Sequence, residues 1–169
     1  MTSRVSLPLA LLLVLTSGTL AFFIYYGQWF PPTMAVHFNP AGEPDAWMDR
    51  IKFIVIGSSL SFMLPAFIVA CAGVLPRVLP VSILNLPNKE YWLAPERREA
   101  TLVRLLFFAL WLGCLVQAFM LGLWITIGRA SLAGAAAHLS GGHAFLAGGF
   151  LVSLALYVFW IGRAFSRPR

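Results

Sequence analysis

Three histidines and three acids stand in the polar breaks of an otherwise apolar chain: His37, Glu43, Asp45 and Asp49 in one break, His138 and His143 in another. Imidazole and carboxylate groups are the ligands zinc favours, and three of them with an open position make a hydrolytic centre. The spacing argues against a local motif. His138 and His143 are separated by "LSGG", which is not the HExxH pattern that stacks two imidazoles on one helix face. A metal-dependent membrane enzyme or metal-handling protein built on His37, His138 and His143 is therefore the alternative function, not the leading one. No nucleophile elbow, phosphate loop or intramembrane acid pair occurs, so no catalytic residue and no cofactor is assigned. An unperturbed imidazole titrates near pH ~6.5, which also makes His37 a candidate pH-sensing group.

These residues must be positioned by membrane helices. The 169-residue chain is 60% hydrophobic and 11% charged, with mean hydropathy +0.83. Soluble domains carry roughly 25% charged residues, so the class is all-α integral membrane. Four runs reach the ~20 apolar residues that a spanning helix requires: about 5–26, 53–75, 103–128 and 144–162. They are read as one four-helix domain, and the first run is too long for the apolar core of a signal peptide. No Asp, Glu or Lys lies in any span core, which speaks against a proton-coupled pump.

Basic residues set the orientation. Arg4, Arg77, Lys89, Arg97, Arg98, Arg104, Arg163, Arg167 and Arg169 lie on one side, and only Arg50, Lys52 and Arg129 on the other. The positive-inside rule puts both termini and the middle loop in the cytoplasm and the "AVHFNPAGEPDAW" segment outside. The high pI, ≈ 10.0, thus reflects topology, and no nucleic-acid partner is expected. Tyr25, Tyr26, Trp29, Trp124, Tyr157 and Trp160 are expected in the interfacial belts. Ser58, Ser59 and Ser61 are placed to hydrogen-bond across helices, and Gln117 and the "AGG" of the fourth span to line a helix contact or, in a channel or transporter subunit, a pore, with the contact favoured. Pro65 is expected to bend the second span. Cys71 and Cys114 read as buried, free thiols.

In the outer loop, Pro31 and Pro32 stop the first span. Residues 34–38 form a short extended piece, and "NPAG" turns the chain, with Gly42 supplying a positive φ. Asp45 is expected to cap a helix starting at Ala46, laying Trp47 and Met48 along the membrane surface. His37 is placed to close the loop, for example by bonding Asp45 or a backbone carbonyl. In the inner loop, "NLPNKEYWLAPERREATLVRL", Pro95 opens a helix with Glu96 and Glu99 in its early turns, continuing into the third span. Tyr91 and Trp92 anchor the loop at the headgroups.

"VHFNPAGEPDAW" and "NLPNKEYWLAPERR", in that order, resemble the small bacterial membrane domain known as domain of unknown function 1648, over about residues 12–105. The resemblance implies a bacterial inner-membrane protein with no established enzymatic activity. Its best-known bearers are immunity and signalling proteins of the sporulation-delay toxin type, which have six spans. What carries over is the motif: His37, Asn39, Gly42, Asp45 and Trp47 outside, as a ligand or structural site. Inside it is Asn85, Pro87, Asn88, Tyr91 and Trp92; with Lys89, Arg97 and Arg98, which the loop's own composition adds, these are expected to face a partner or lipid. The expected protein contacts the lipid bilayer, binds or senses an extracytoplasmic ligand or peptide at the outer loop, and presents the inner loop to a regulator.

Overall fold

The computed structural model describes residues 3–39, 41–133 and 142–166. Helix α1 (Ser3–Tyr26) leads into a two-stranded antiparallel hairpin, β1 (Thr33–Phe38) and β2 (Pro44–Asp49). Helix α2 (Arg50–Ile68) continues through a π turn over Val69–Val74 and a 3₁₀ turn to Arg77. A one-turn helix α3 (Lys89–Trp92) precedes α4 (Pro95–Leu132), and α5 (Gly142–Phe165) completes the fold. Four of these helices are long and apolar enough to cross a membrane. The chain is a multi-pass membrane protein in contact with lipid.

The π winding begins at Val69, one turn after Pro65, and the Val69 N–H is shared between the carbonyls of Ala66 and Pro65. Proline removes a ladder donor and loosens the turn around it. The outer loop adds strand structure to the helical fold. Met34 and Val36, two positions apart on β1, and Met48, opposite Met34 on β2, all pack on one aromatic cluster.

Helix α4 is the centre of the bundle, packed against α1, α2 and α5. Its 38 residues span about 57 Å at 1.5 Å per residue, nearly twice the ~30 Å hydrocarbon layer. It therefore reaches from the hairpin end of the bundle to the loop end, where α3 and the chain's first helical turn lie. Helix α5 packs chiefly on α4 among the described residues, and Phe145, Leu151, Val152, Leu156 and Phe159 stay exposed along it, as lipid-facing residues should.

The helices are joined by buried polar contacts. Gln117 Nε2 donates to Thr19 Oγ1 at 2.8 Å, linking α4 to α1, and both residues are fully buried. Trp124 Nε1 donates to Ser61 Oγ at 2.7 Å, linking α4 to α2. Tyr157 donates from α5 to the Phe108 carbonyl at 2.9 Å. Trp124 is thus a core residue and not a belt residue. Of the three serines, Ser61 makes the cross-helix bond, while Ser58 turns back to carbonyls of its own helix. Both cysteines are free; Cys114 is buried, but Cys71 is exposed on the π turn, contrary to expectation.

At the hairpin end, Phe23, Phe30, Met34, Phe53, Trp124 and Ile127 form the core cluster. The rings of Phe23, Phe53 and Trp124 meet at 5.6–6.1 Å between centroids. Gly57 makes room for Phe23: a Cβ there would come within 2.5 Å of the ring. That ring is itself held by Phe53 and Trp124 and has nowhere to move. Gly57→Ala is expected to destabilise the bundle by about 1–3 kcal/mol through overpacking. Gly148→Ala, where nothing lies within 4 Å, should be neutral; thermal unfolding of the two variants in detergent micelles checks the contrast.

Candidate functional site

The hairpin is built by its turn and its docking. Asn39 and Glu43 close the turn four ways: Asn39 N–H to the Glu43 carbonyl, Gly42 N–H to the Asn39 carbonyl, Glu43 N–H to Asn39 Oδ1, and Asn39 Nδ2 to Glu43 Oε2, all between 2.8 and 3.0 Å. Gly42 has φ 86°, the left-handed conformation that glycine adopts without strain. Asn39 and Gly42 are therefore turn-formers. On the other flank, Met34 and Ala35 are completely buried. The Ala35 N–H donates to Ser131 Oγ in the last turn of α4 at 3.1 Å, so β1 is fastened directly to the central helix.

Asp45 does not cap a helix. It lies inside β2, and the residue that caps α2 is Asp49, whose Oδ1 accepts from the N–H groups of Ile51 at 2.8 Å and Lys52 at 3.2 Å. Strand pairing extends to Asp49 because Thr33 lies opposite it, which delays the helix start to Arg50. Arg50 then ties the hairpin base together, its N–H donating to the Pro32 carbonyl and its guanidinium to that of Phe30. Trp47 accordingly sits in the middle of β2, half-exposed, and not on a helix at the membrane surface.

Freed from capping, Asp45 pairs with His37. The ladder is irregular here: Ala35 faces Trp47, His37 faces Ala46, and Phe38 faces Pro44. Such irregularities re-aim side chains, and His37 Nδ1 meets Asp45 Oδ1 at 2.5 Å. A carboxylate only accepts, so the proton is on Nδ1, and Nε2 is the ring's outward-facing hydrogen-bonding atom. The pair is largely solvent-exposed, 69% and 45%, and contributes at most about 1 kcal/mol to stability. It orients an imidazole more than it holds the fold.

His143 opens α5, and His138 lies outside the described residues. Among the described residues no three His, Cys, Asp or Glu side chains converge as a metal cluster.

At the loop end the inner motif closes onto the end of α5. The last carbonyls of a helix lack intrahelical donors, and three of them are met here. Asn88 Nδ2 donates to Ser166 O at 3.3 Å, Trp92 Nε1 to Phe165 O at 2.9 Å, and Arg104 Nη1 to Ala164 O at 3.3 Å. Asn88 takes a left-handed φ of 53°, which asparagine tolerates better than most residues. Lys89 reaches the Ser82 carbonyl, and Thr101 Oγ1 donates to the Trp92 carbonyl. Arg98 donates to the Arg77 carbonyl, and Arg97 lies 4.3 Å over the Tyr91 ring. Asn85 and Pro87 are exposed in the approach to α3. Trp92 is thus a helix cap as well as an anchor, a role with no local sequence signal because its partner lies 73 residues away.

The two aspartates are separable by experiment. Asp49→Ala is expected to cost about 1 kcal/mol and to speed amide exchange in the first turn of α2. Asp45→Ala should leave those amides unchanged; hydrogen exchange read by mass spectrometry compares them directly.

Residues 11–69 match the family model described as Domain of unknown function (DUF1648). No curated protein and no solved structure matches the chain. The matched segment runs from α1 through the whole hairpin to the start of the π turn, ahead of the motif at 85–98. The α1–hairpin–α2 unit is therefore similar to the DUF1648 domain, and this chain carries it within a four-helix membrane protein.

Proposed function

We propose that this is a non-enzymatic protein of the bacterial inner membrane, with both termini in the cytoplasm, that binds or senses a ligand or peptide at its hairpin. Immunity or signalling is the corresponding role. The observation that carries the reading is the attachment of the hairpin to α4. Ser131 holds β1 at one end of that helix, and Thr101 and Arg98 hold the inner loop at the other. A rigid rod fastened at both ends can convert a contact on one side of a membrane into a displacement on the other.

The hairpin suits a peptide. Among the described residues strand β2 has one neighbour, β1, so its outer edge carries main-chain groups that an extended segment can pair with. Asp45, Ala46 and Trp47 along it are exposed, and the indole supplies an apolar contact beside the oriented imidazole of His37. The regulator's surface is then the inner loop, at Asn85, Pro87, Lys89 and Tyr91. Among the described residues, seven of the ten Lys and Arg lie at the loop end, which supports the assignment of that end to the cytoplasm.

A host strain lacking the protein, complemented with wild type or variants, tests this by survival against a panel of membrane-active peptides. Protection against at least one peptide is expected, falling at least tenfold in His37→Ala and Trp47→Ala chains that insert at normal levels. Equal survival with and without the protein across the panel, together with no peptide crosslinking to a photoreactive residue at position 47, would count against it.

A further inference from the structure

A cavity of about 770 Å³ opens at the loop end between the start of α1, α4 and α5. Its rim carries three guanidinium groups, Arg4, Arg97 and Arg104, and its floor is aromatic, with Phe107, Phe108 and Trp160. No carboxylate is among its lining residues. None of the three arginines pairs with a carboxylate among the described residues, where the acid Glu99 is engaged by Arg77 instead. Arg97 and Arg104 are steadied by aromatic faces, Tyr91 at 4.3 Å and Trp92 at 5.5 Å, which fix a guanidinium without neutralising it. Arg104 donates one bond, to Ala164 O, and a guanidinium has five N–H donors.

The geometry points to a binding site for an anionic phospholipid, with its phosphate held by Arg4, Arg97 and Arg104 and the start of an acyl chain resting on Phe107, Phe108 and Trp160. Three facts select this occupant. Unpaired arginines match phosphate oxygens in charge and fork geometry. The aromatic floor belongs to the spanning parts of α4 and α5, and so continues into the hydrocarbon layer, where a soluble phosphate has no use for it. The volume lies in the range of small-molecule sites, and basic pockets between helices at a membrane face are a recognised place for acidic headgroups. The site also explains why the inner loop is fastened to the end of α5: Trp92 and Arg104 cap that helix and form one wall of the cavity. It stands independently of any role for the hairpin.

Native mass spectrometry of the full chain, equilibrated in detergent with equal amounts of phosphatidylglycerol and phosphatidylcholine, provides the test. Wild type is expected to retain phosphatidylglycerol preferentially. Each interfacial arginine contributes about fivefold, so Arg4→Gln/Arg97→Gln should lower the preference roughly 25-fold. Neither residue makes a described backbone bond through its side chain, and gel-filtration behaviour like that of wild type confirms that the variant folds. Lys52→Gln, at the opposite end, should leave the preference intact. Equal retention of both lipids by wild type, or an unchanged preference in the double variant, would overturn the site. Displacement of phosphatidylglycerol by millimolar inorganic phosphate would overturn the lipid as its occupant and assign a soluble phosphate.

Discussion

Lipid is as apolar as leucine, so helices inside a bilayer gain little by hiding hydrophobic side chains from it, and they associate through close fit and interhelical hydrogen bonds. Helix α4 meets this constraint with polar contacts to every neighbouring span, among them Gln117 to Thr19, Trp124 to Ser61, and the Phe108 carbonyl to Tyr157. Each is buried or half-buried, where water cannot compete for it. The close fits lie beside them, with Gly57 against Phe23 and Gly73 of the π turn against Leu106.

Both ends of the molecule follow from the length of that helix. Because α4 outruns the hydrocarbon layer, its last turn is available to the hairpin and its first turns to the inner loop. Ser131 supplies the hydroxyl that a buried strand N–H needs, and β1 is thereby placed over the aromatic cluster with Met34 beneath it. A two-stranded hairpin alone in water is marginal; this one persists because one strand is half-embedded in helices. The other strand, β2, is left exposed, and its Asp45 pairs with His37 of β1.

The spans were legible in the sequence because hydropathy over twenty residues is a strong signal, and the inner start of α4 was legible from Pro95 followed by Glu96. The turn was legible too, through Gly42, as was the pairing of His37 with Asp45. Asp45 as a helix cap was not correct: the rule that an aspartate precedes a helix applied, but to Asp49. The period-two pattern of Met34, Val36 and Phe38 was too short to establish a strand without its partner. Long-range contacts carried no local sign. Nothing near Ser131 marks it as a partner of Ala35, 96 residues away, and nothing near Trp92 or Arg104 shows that they will cap α5. Trp124 resembled a belt residue because an indole near a span end usually is one; the serine across the interface draws it inward.

The attachment of β1 to α4 is the claim on which the account turns, and amide exchange of the Ala35 N–H in bilayer nanodiscs tests it most directly. The account predicts protection comparable to the amides of the surrounding core helices, lost by at least tenfold in Ser131→Ala while the mid-span amides of α4 remain protected. Exchange of that amide in wild type as fast as in the exposed turn, or protection indifferent to the serine, would mean that the hairpin is not fastened to the central helix.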